Sequence, residues 1–328
     1  MGRPYLRQPL PGGSMPALVT PFRPGDGEID DHALAHLADR AVERGASALV
    51  VCGSTGEAPA MTPQEQARAL HIVVEAADGR VPVIAGIGGA CTQAAVALAG
   101  AARQGGAAAL LVAAPPYVKP SQDGMRAHLR AVSGCTTLPV ILYDVPGRVG
   151  VGFSDDNIAR LYEEGVVQAL KDATADLARP HRLRRLCGME FQQYSGDDAT
   201  AAAHRLMGGA GCISVTANVA PALCAAVMEA WSRQEIDRLL ELNNALAPLH
   251  EALFAETNPG PVKAALALSG LCDAAPRLPL LRAGATLVAR LEVILAELSP
   301  LEETLARRRR EAPRMMAEVL ALARHGRA

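Results

Sequence analysis

The feature that most constrains this chain is a rhythm. From Ser14 onward, short apolar runs alternate with helical patterns at intervals of about 25–35 residues. The runs are Met15–Thr20, Ala48–Cys52, Val81–Ile87, Ala108–Ala113, Pro139–Tyr143, Val166–Lys171, Met189–Tyr194 and Cys212–Val215. Most are continuously apolar rather than alternating, the pattern of parallel strands covered by helices on their outer face. Helical stretches lie between them: Asp30–Arg44, Pro63–Ala77, Thr92–Gln104, Gln122–Val132, Ser154–Glu164 and Asp197–Met207. Thr62, Ser121 and Ser154 stand where N-caps are expected, and Gly45, Gly79, Gly105 and Gly165 where helices should exit. Eight such repeats in about 220 residues predict an α/β fold of the (β/α)8, or TIM, barrel type. The competing architecture is a doubly wound sheet. No GxGxxG follows the first strand, which weakens a dinucleotide-binding version of it. Gly86-Ile87-Gly88-Gly89 lacks the third glycine in register and reads as a tight loop.

Beyond Pro221 the strand signals stop. Ala222–Ser232, Gln234–Leu253, Pro261–Ser269 and Leu281–Leu298 read as helices. The expected organisation is therefore an N-terminal extension (1–13), a catalytic barrel (14–221), a C-terminal helical domain (222–298) and a helical tail (299–328). The tail carries Arg307–Arg310, but Glu302, Glu303 and Glu311 flank this run, so it reads as a solvated helix face.

Composition removes whole classes of function. With 32 basic and 34 acidic residues the formal charge is −2, unlike a nucleic-acid binder, which needs a basic face. No apolar run approaches the ~20 residues that span a bilayer. Met1–Gly13 has no apolar signal-peptide core, so a cytoplasmic, non-membrane protein is expected. Seven cysteines without CxxC spacing fit reduced thiols better than a disulfide framework. The eight histidines fall mainly in predicted helices or the tail, which favours neither a metal site nor a Ser-His-Asp triad.

One count points toward chemistry. Only three of the 32 basic residues are lysine: Lys119, Lys171 and Lys263. Lys171 ends the sixth apolar run, and the C-terminal ends of barrel strands are where chemistry sits. A lysine facing an aliphatic barrel mouth is desolvated, which disfavours its charged form. The neutral amine can then attack a ketone to form a Schiff base. The competing reading is a lysine paired with neighbouring Asp172. After the second strand, Gly53-Ser54-Thr55-Gly56-Glu57 combines two glycines with two hydroxyls, a turn able to hold a carboxylate on its amides, or merely to cap a helix. Tyr143 ends the fifth strand and Tyr117 follows the fourth; each suits proton transfer in a dry pocket, and each also suits core packing. Arg148, in Pro146-Gly147-Arg148, can grip a carboxylate bidentately or lie on the surface.

Taken together, these motifs resemble the dihydrodipicolinate synthase and N-acetylneuraminate lyase superfamily. The resemblance rests on Gly53–Glu57, Tyr143-Asp144-Val145-Pro146-Gly147-Arg148 and Leu170-Lys171-Asp172-Ala173-Thr174. It extends through Ser195–Asp198, Gly211–Asn218 and Asn258-Pro259-Gly260-Pro261-Val262-Lys263, covering about residues 14–298. It implies a barrel with a C-terminal helical domain, assembled as a homotetramer that is a dimer of dimers. It implies that Lys171 forms a Schiff base with pyruvate and that Tyr143 relays protons. Thr55 would link two tyrosines, and Tyr117 would be lent to the neighbouring subunit's site. Ser54 and Thr55 would hold the pyruvate carboxylate, Ile213 would line the pocket through its backbone, and Arg148 would receive the second substrate's carboxylate. No metal or organic cofactor is implied, since the lysine supplies the electron sink.

The Pro-Gly-Arg turn favours a synthase condensing pyruvate with the aldehyde L-aspartate 4-semialdehyde in lysine biosynthesis. A related aldolase or dehydratase acting on a sugar acid or 4-hydroxy-2-oxoglutarate is the alternative, and a catalytically silent barrel a third. Asp144 departs from the Asn usual in the synthases, adding a charge that either disfavours a dianionic intermediate or faces away onto an arginine. Ala58, Pro63, Ala90, Ala94 and Pro116 replace the hydrogen-bonding and aromatic residues of lysine-inhibited members, so little inhibition by lysine is expected.

Overall fold

A computed structural model describes residues 10–325, with side chains as far as Glu311. The first nine residues of the expected N-terminal extension and the last three of the tail lie outside the described residues. The barrel strands are β1 (Gly13–Pro16), β2 (Leu49–Val51), β3 (Val83–Ile87), β4 (Ala109–Ala113), β5 (Val140–Asp144), β6 (Ala169–Asp172), β7 (Gln192–Ser195) and β8 (Gly211–Ser214). All pair in parallel: β2 to β8 each with its neighbour in sequence, and β1 with β8. The ring closes between β1 and β2 through the Ala17–Val50 bridge and the bond from the Leu18 amide to the Val50 carbonyl, 2.9 Å. A doubly wound sheet has two open edges and is thereby excluded.

Strand alternation divides the core in two. Inward residues such as Met15, Val50, Ile84, Leu111, Ile141, Tyr194 and Ile213 fill the barrel. Outward residues pack against α1 (Asp31–Glu43), α2 (Pro63–Ala77), α3 (Thr92–Gln104), α4 (Gln122–Gly134), α5 (Pro146–Val149), α6 (Asp155–Glu163), α7 (Arg179–Cys187) and α8 (Ala201–Leu206). Because aromatics are scarce, aliphatic side chains carry both layers. Inside the barrel Tyr194 is fully buried, and its hydroxyl donates to the Pro11 carbonyl, 2.9 Å. Leu10 exchanges two bonds with the Gln192 side chain, so residues 10 and 11 are tied beneath β7.

The expected N-caps are in place. Thr62, Ser121 and Ser154 accept from the amides of Glu65, Gly124 and Asn157, and Thr62 with Glu65 completes a capping box. Helix α3 exits at Gly105, its C-cap residue, with the left-handed Gly106 at φ +87° one place beyond. The expectations for the seventh strand and for the helices on either side of it need correction. The seventh strand lies at Gln192–Ser195, because Gly188 at φ +85° turns the chain and leaves Met189 exposed. The helix after it starts at Ala201 rather than Asp197, since the Asp197 and Asp198 carboxylates bind the amides of Thr200, Val215 and Thr216. Helix α7 escapes the sequence reading altogether: arginine, not leucine, occupies part of its buried face.

The remaining helices are α9 (Pro221–Ser232), α10 (Ile236–Leu253), α11 (Gly260–Leu268) and α12 (Ala285–His325). They share a second aliphatic core beside the barrel. The helix expected over Leu281–Leu298 begins four residues later and continues without a break into the tail. No helix among the described residues is long and apolar enough to cross a membrane.

Candidate active site

Strands β5 and β6 are in register, so Tyr143 lies beside Lys171 and Asp144 beside Asp172. Alternation sends the first pair into the barrel and the second pair out of it. Lys171 is buried, with Nζ 4.3 Å from the centroid of the Tyr143 ring. Gly196, just past β7, keeps this space open: a Cβ there would come within 3.0 Å of Lys171 Cε.

Asp172 does not pair with Lys171. It accepts from the Thr174 amide and hydroxyl at 2.9 and 2.7 Å and faces Arg179 at 3.4 Å. Asp144 also turns outward, accepting from Arg179 Nη1 at 2.7 Å and the Phe153 amide at 3.2 Å. Arg179 further pairs with Asp155 at 2.9 Å and donates to the Phe153 carbonyl at 2.7 Å. Burial raises the Asp144 pKa above the ordinary carboxylate value, with Arg179 working against that rise. Of the two readings of Asp144, the structure selects the one in which it faces an arginine. Arg179 itself is a residue the sequence reading missed. Two acids at successive outward strand ends are the signal that a buried cation must meet them.

A cavity of about 480 Å³ opens over the ends of β2–β5. Ser54, Tyr143 and Arg148 line it, together with an apolar wall that includes Ala58, Pro63, Ala90 and Pro116. Ser54 is half-buried, while Thr55 is buried beneath it. The Thr55 hydroxyl accepts from Asn258 Nδ2 at 3.0 Å and, among the described residues, bonds to neither tyrosine. Arg148 is exposed at the rim and donates to the Asn258 carbonyl at 3.3 Å. Asn258 therefore touches both the turn and the arginine, a second contribution not read from sequence. Ile213 lies on β8 opposite Met15, in the same inner layer as Tyr143. Tyr117 stands apart: it is 95% exposed at φ +75°, a backbone region that bulky residues seldom adopt.

Lys171 and Tyr143 thus form one contact, Ser54, Tyr143 and Arg148 share one cavity, and Tyr117 does not reach it. A buried amine against a phenol, a small-residue turn and a rim guanidinium suit a substrate carrying a ketone and carboxylates. Among the described residues, no cluster of three His, Cys, Asp or Glu is placed to hold a metal ion.

Residues 10–298 match the dihydrodipicolinate synthetase family. The 4-hydroxy-tetrahydrodipicolinate synthase of Rhodospirillum centenum is 45% identical over 268 residues, 82% of this chain and 91% of that protein. The enzyme of the same name from Parvibaculum lavamentivorans is 46% identical over 273 residues, 83% of this chain and 93% of its own. Among solved structures, the chloride-inhibited dihydrodipicolinate synthase of Acinetobacter baumannii, complexed with pyruvate, superposes with a TM-score of 0.85 at 38% identity, covering 88% of this chain and 99% of that one. By sequence and by fold, the chain belongs to the dihydrodipicolinate synthetase family.

Proposed function

We propose that the chain is a pyruvate-dependent Schiff-base lyase that condenses pyruvate with L-aspartate 4-semialdehyde to give 4-hydroxy-tetrahydrodipicolinate, a step of lysine biosynthesis. The observation that carries this reading is the buried Lys171 amine against the ring of Tyr143, a residue that lines the cavity. The relatives' shared name supports the choice of substrates.

The Gly53–Glu57 turn and its Ser54 and Thr55 hydroxyls hold the pyruvate carboxylate. The neutral Lys171 amine attacks the ketone carbon, and Tyr143 passes a proton to the departing hydroxyl as the imine forms. Loss of a methyl proton gives an enamine, with the imine nitrogen as the electron sink, so the reaction needs no metal or organic cofactor. The enamine carbon attacks the aldehyde while Arg148 holds the acceptor's carboxylate. The acceptor's amine then closes the ring by displacing Lys171. Ile213 contributes backbone to the pocket wall.

The exposed Tyr117 supports an assembly in which it completes a neighbour's site, within a homotetramer built as a dimer of dimers. The seven cysteines, all free, fit a reducing cytoplasm. Asp144, the departure that kept the acceptor open, turns onto Arg179 and is not among the cavity-lining residues, which supports the semialdehyde over a sugar acid. Borohydride reduction with pyruvate, followed by mass spectrometry, tests the mechanism. A pyruvyl adduct on Lys171 is expected, and active protein without one would refute it. Assay of pyruvate against a panel of aldehydes tests the acceptor.

A further inference from the structure

Of the three lysines the chemistry above uses Lys171 alone; of the other two, Lys263 is fully buried. Its Nζ lies 2.5 Å from Glu57 Oε1 and donates to the Ala275 carbonyl at 3.1 Å, above the Phe22 ring at 4.3 Å from its centroid. A buried ammonium is costly, and an apolar side chain of similar size usually serves stability as well. Its partner gives it a purpose. Glu57 closes the turn that carries Ser54 and Thr55, and it does so at φ +56°. The turn's own bonds are long: Glu57 amide to Ser54 carbonyl at 3.2 Å, and Ala58 amide to Gly53 carbonyl at 3.3 Å, against an ordinary ~2.9–3.0 Å.

The short contacts reach the turn from outside. Glu57 Oε2 accepts from the Arg277 amide at 2.7 Å, the Gly56 carbonyl accepts from the Thr20 hydroxyl at 2.7 Å, and Thr55 Oγ1 accepts from Asn258 at 3.0 Å. Asn258 lies just ahead of α11 and Lys263 lies within it, so one segment of the helical domain grips the turn at two points.

We propose that Lys263 is a positioning residue: it fixes Glu57, and through Glu57 sets the Gly53–Glu57 turn in the geometry that receives the carboxylate of pyruvate. This rests on the reading of that turn given under the proposed function. The carboxylate contact is made alike in the ground and transition states, so loosening it weakens pyruvate binding while sparing turnover at saturation.

The test is Lys263→Met, with pyruvate titrated in both steady-state assay and borohydride trapping. The half-saturating pyruvate concentration is expected to rise roughly tenfold while kcat stays within about threefold of wild type. A purely structural lysine would lower the melting temperature and leave half-saturation where it was. Should the single variant not fold, Glu57→Gln with Lys263→Met removes the tether without stranding a charge, and the same rise is expected. Wild-type half-saturation in either folded variant overturns the proposal. Absence of a Lys171 adduct in the wild type is a different failure, of the Schiff-base reading itself, and takes this proposal with it.

Discussion

Lys171 Nζ sits 4.3 Å from the centroid of the Tyr143 ring, against its face. The contact follows from register: the two residues are direct neighbours on β5 and β6, and both point into the barrel. The ring walls the amine, and in the proposed reaction the hydroxyl moves protons, so the two contributions can be separated.

Tyr143→Phe keeps the wall and removes the hydroxyl. Because a positioned acid–base group is worth about 10²–10⁴ in rate, kcat should fall at least ~100-fold. The Lys171 adduct should still form, more slowly, and the melting temperature should hardly move. Stopped-flow turnover and timed borohydride trapping measure both. An unaltered kcat would remove Tyr143 from the proton path.

The Asp144–Arg179 pair predicts an asymmetry. Arg179→Met strands Asp144 and Asp172 in a buried place, and removal of one partner of such a pair costs about 3–5 kcal/mol. Asp144→Asn keeps an acceptor for the Phe153 amide, and Arg179 retains Asp155 and Asp172. It should cost about 1 kcal/mol and leave aldehyde preference as it was. Denaturant melts and an aldehyde panel on both variants check this, and a changed preference in Asp144→Asn would bring that residue back into the site.

How much of this was legible in the sequence depends on the distance over which each feature is encoded. The strands are visible because each is its own short apolar run, and the caps because Thr62 and Glu65 are three residues apart. Lys171 stands out as a lysine at a strand end in a chain that otherwise uses arginine. The contacts that Arg179, Asn258 and Lys263 make are not visible in this way. Arg179 meets Asp144 across 35 positions and Asn258 meets Thr55 across 203, and no periodicity records such pairings. Arg179 even hides its helix, since an arginine on a buried face reads as solvent-facing.

Lysine should not regulate this protein. Ala58, Pro63, Ala90, Ala94 and Pro116, the positions at which the resemblance places the effector's partners, carry no polar side chain, and all but Ala94 line the apolar wall of the cavity. Free lysine brings an ammonium and a carboxylate, and burying either without a partner is unfavourable. Initial rates at about 1 mM lysine should match those without it, which corresponds to binding weaker than ~4 kcal/mol. Inhibition at micromolar lysine would contradict this account.

Glu65 gives a pH signature. Arg277, with help from the Thr62 cap, holds its carboxyl down at about 2. A folded-state pKa below the unfolded value means that the contribution is fully present above the unfolded value of ~4.3 and fades as pH falls toward 2. Glu65→Gln, which keeps a capping-box acceptor but loses the charge, should therefore lower stability by up to about 1 kcal/mol near neutral pH, through the lost ion pair with Arg277, and by less at pH 3. Parallel wild-type and variant melting curves across this range would show that the pair carries no such linkage.

The last prediction concerns the stretch of α12 beyond residue 298, where the family match ends. Helix α9 begins at Pro221 with Ala220 as its N-cap residue and no side-chain cap of its own. Glu302 supplies one from a distant part of the chain: Oε1 accepts from the Ala222 amide at 3.0 Å and Oε2 from the Leu223 amide at 2.8 Å. The same carboxylate pairs with Arg44, at the end of α1, at 3.0 Å, and is itself buried. One turn on, Ala306 is buried, and Arg309 pairs with Glu229 of α9 at 2.7 Å. The segment is thus a strap across α1 and α9 rather than a loose end. Glu302→Ala leaves two amides and a guanidinium without their acceptor and should cost about 3 kcal/mol; Glu302→Gln, which keeps an acceptor, should cost about 1 kcal/mol. Truncation after Ser299 should lower the melting temperature at least as far as Glu302→Ala. None of these residues lines the cavity over β2–β5, so pyruvate half-saturation should stay at its wild-type value in the folded variants. A truncated protein that melts with the full-length chain would show that the strap bears none of the fold's stability.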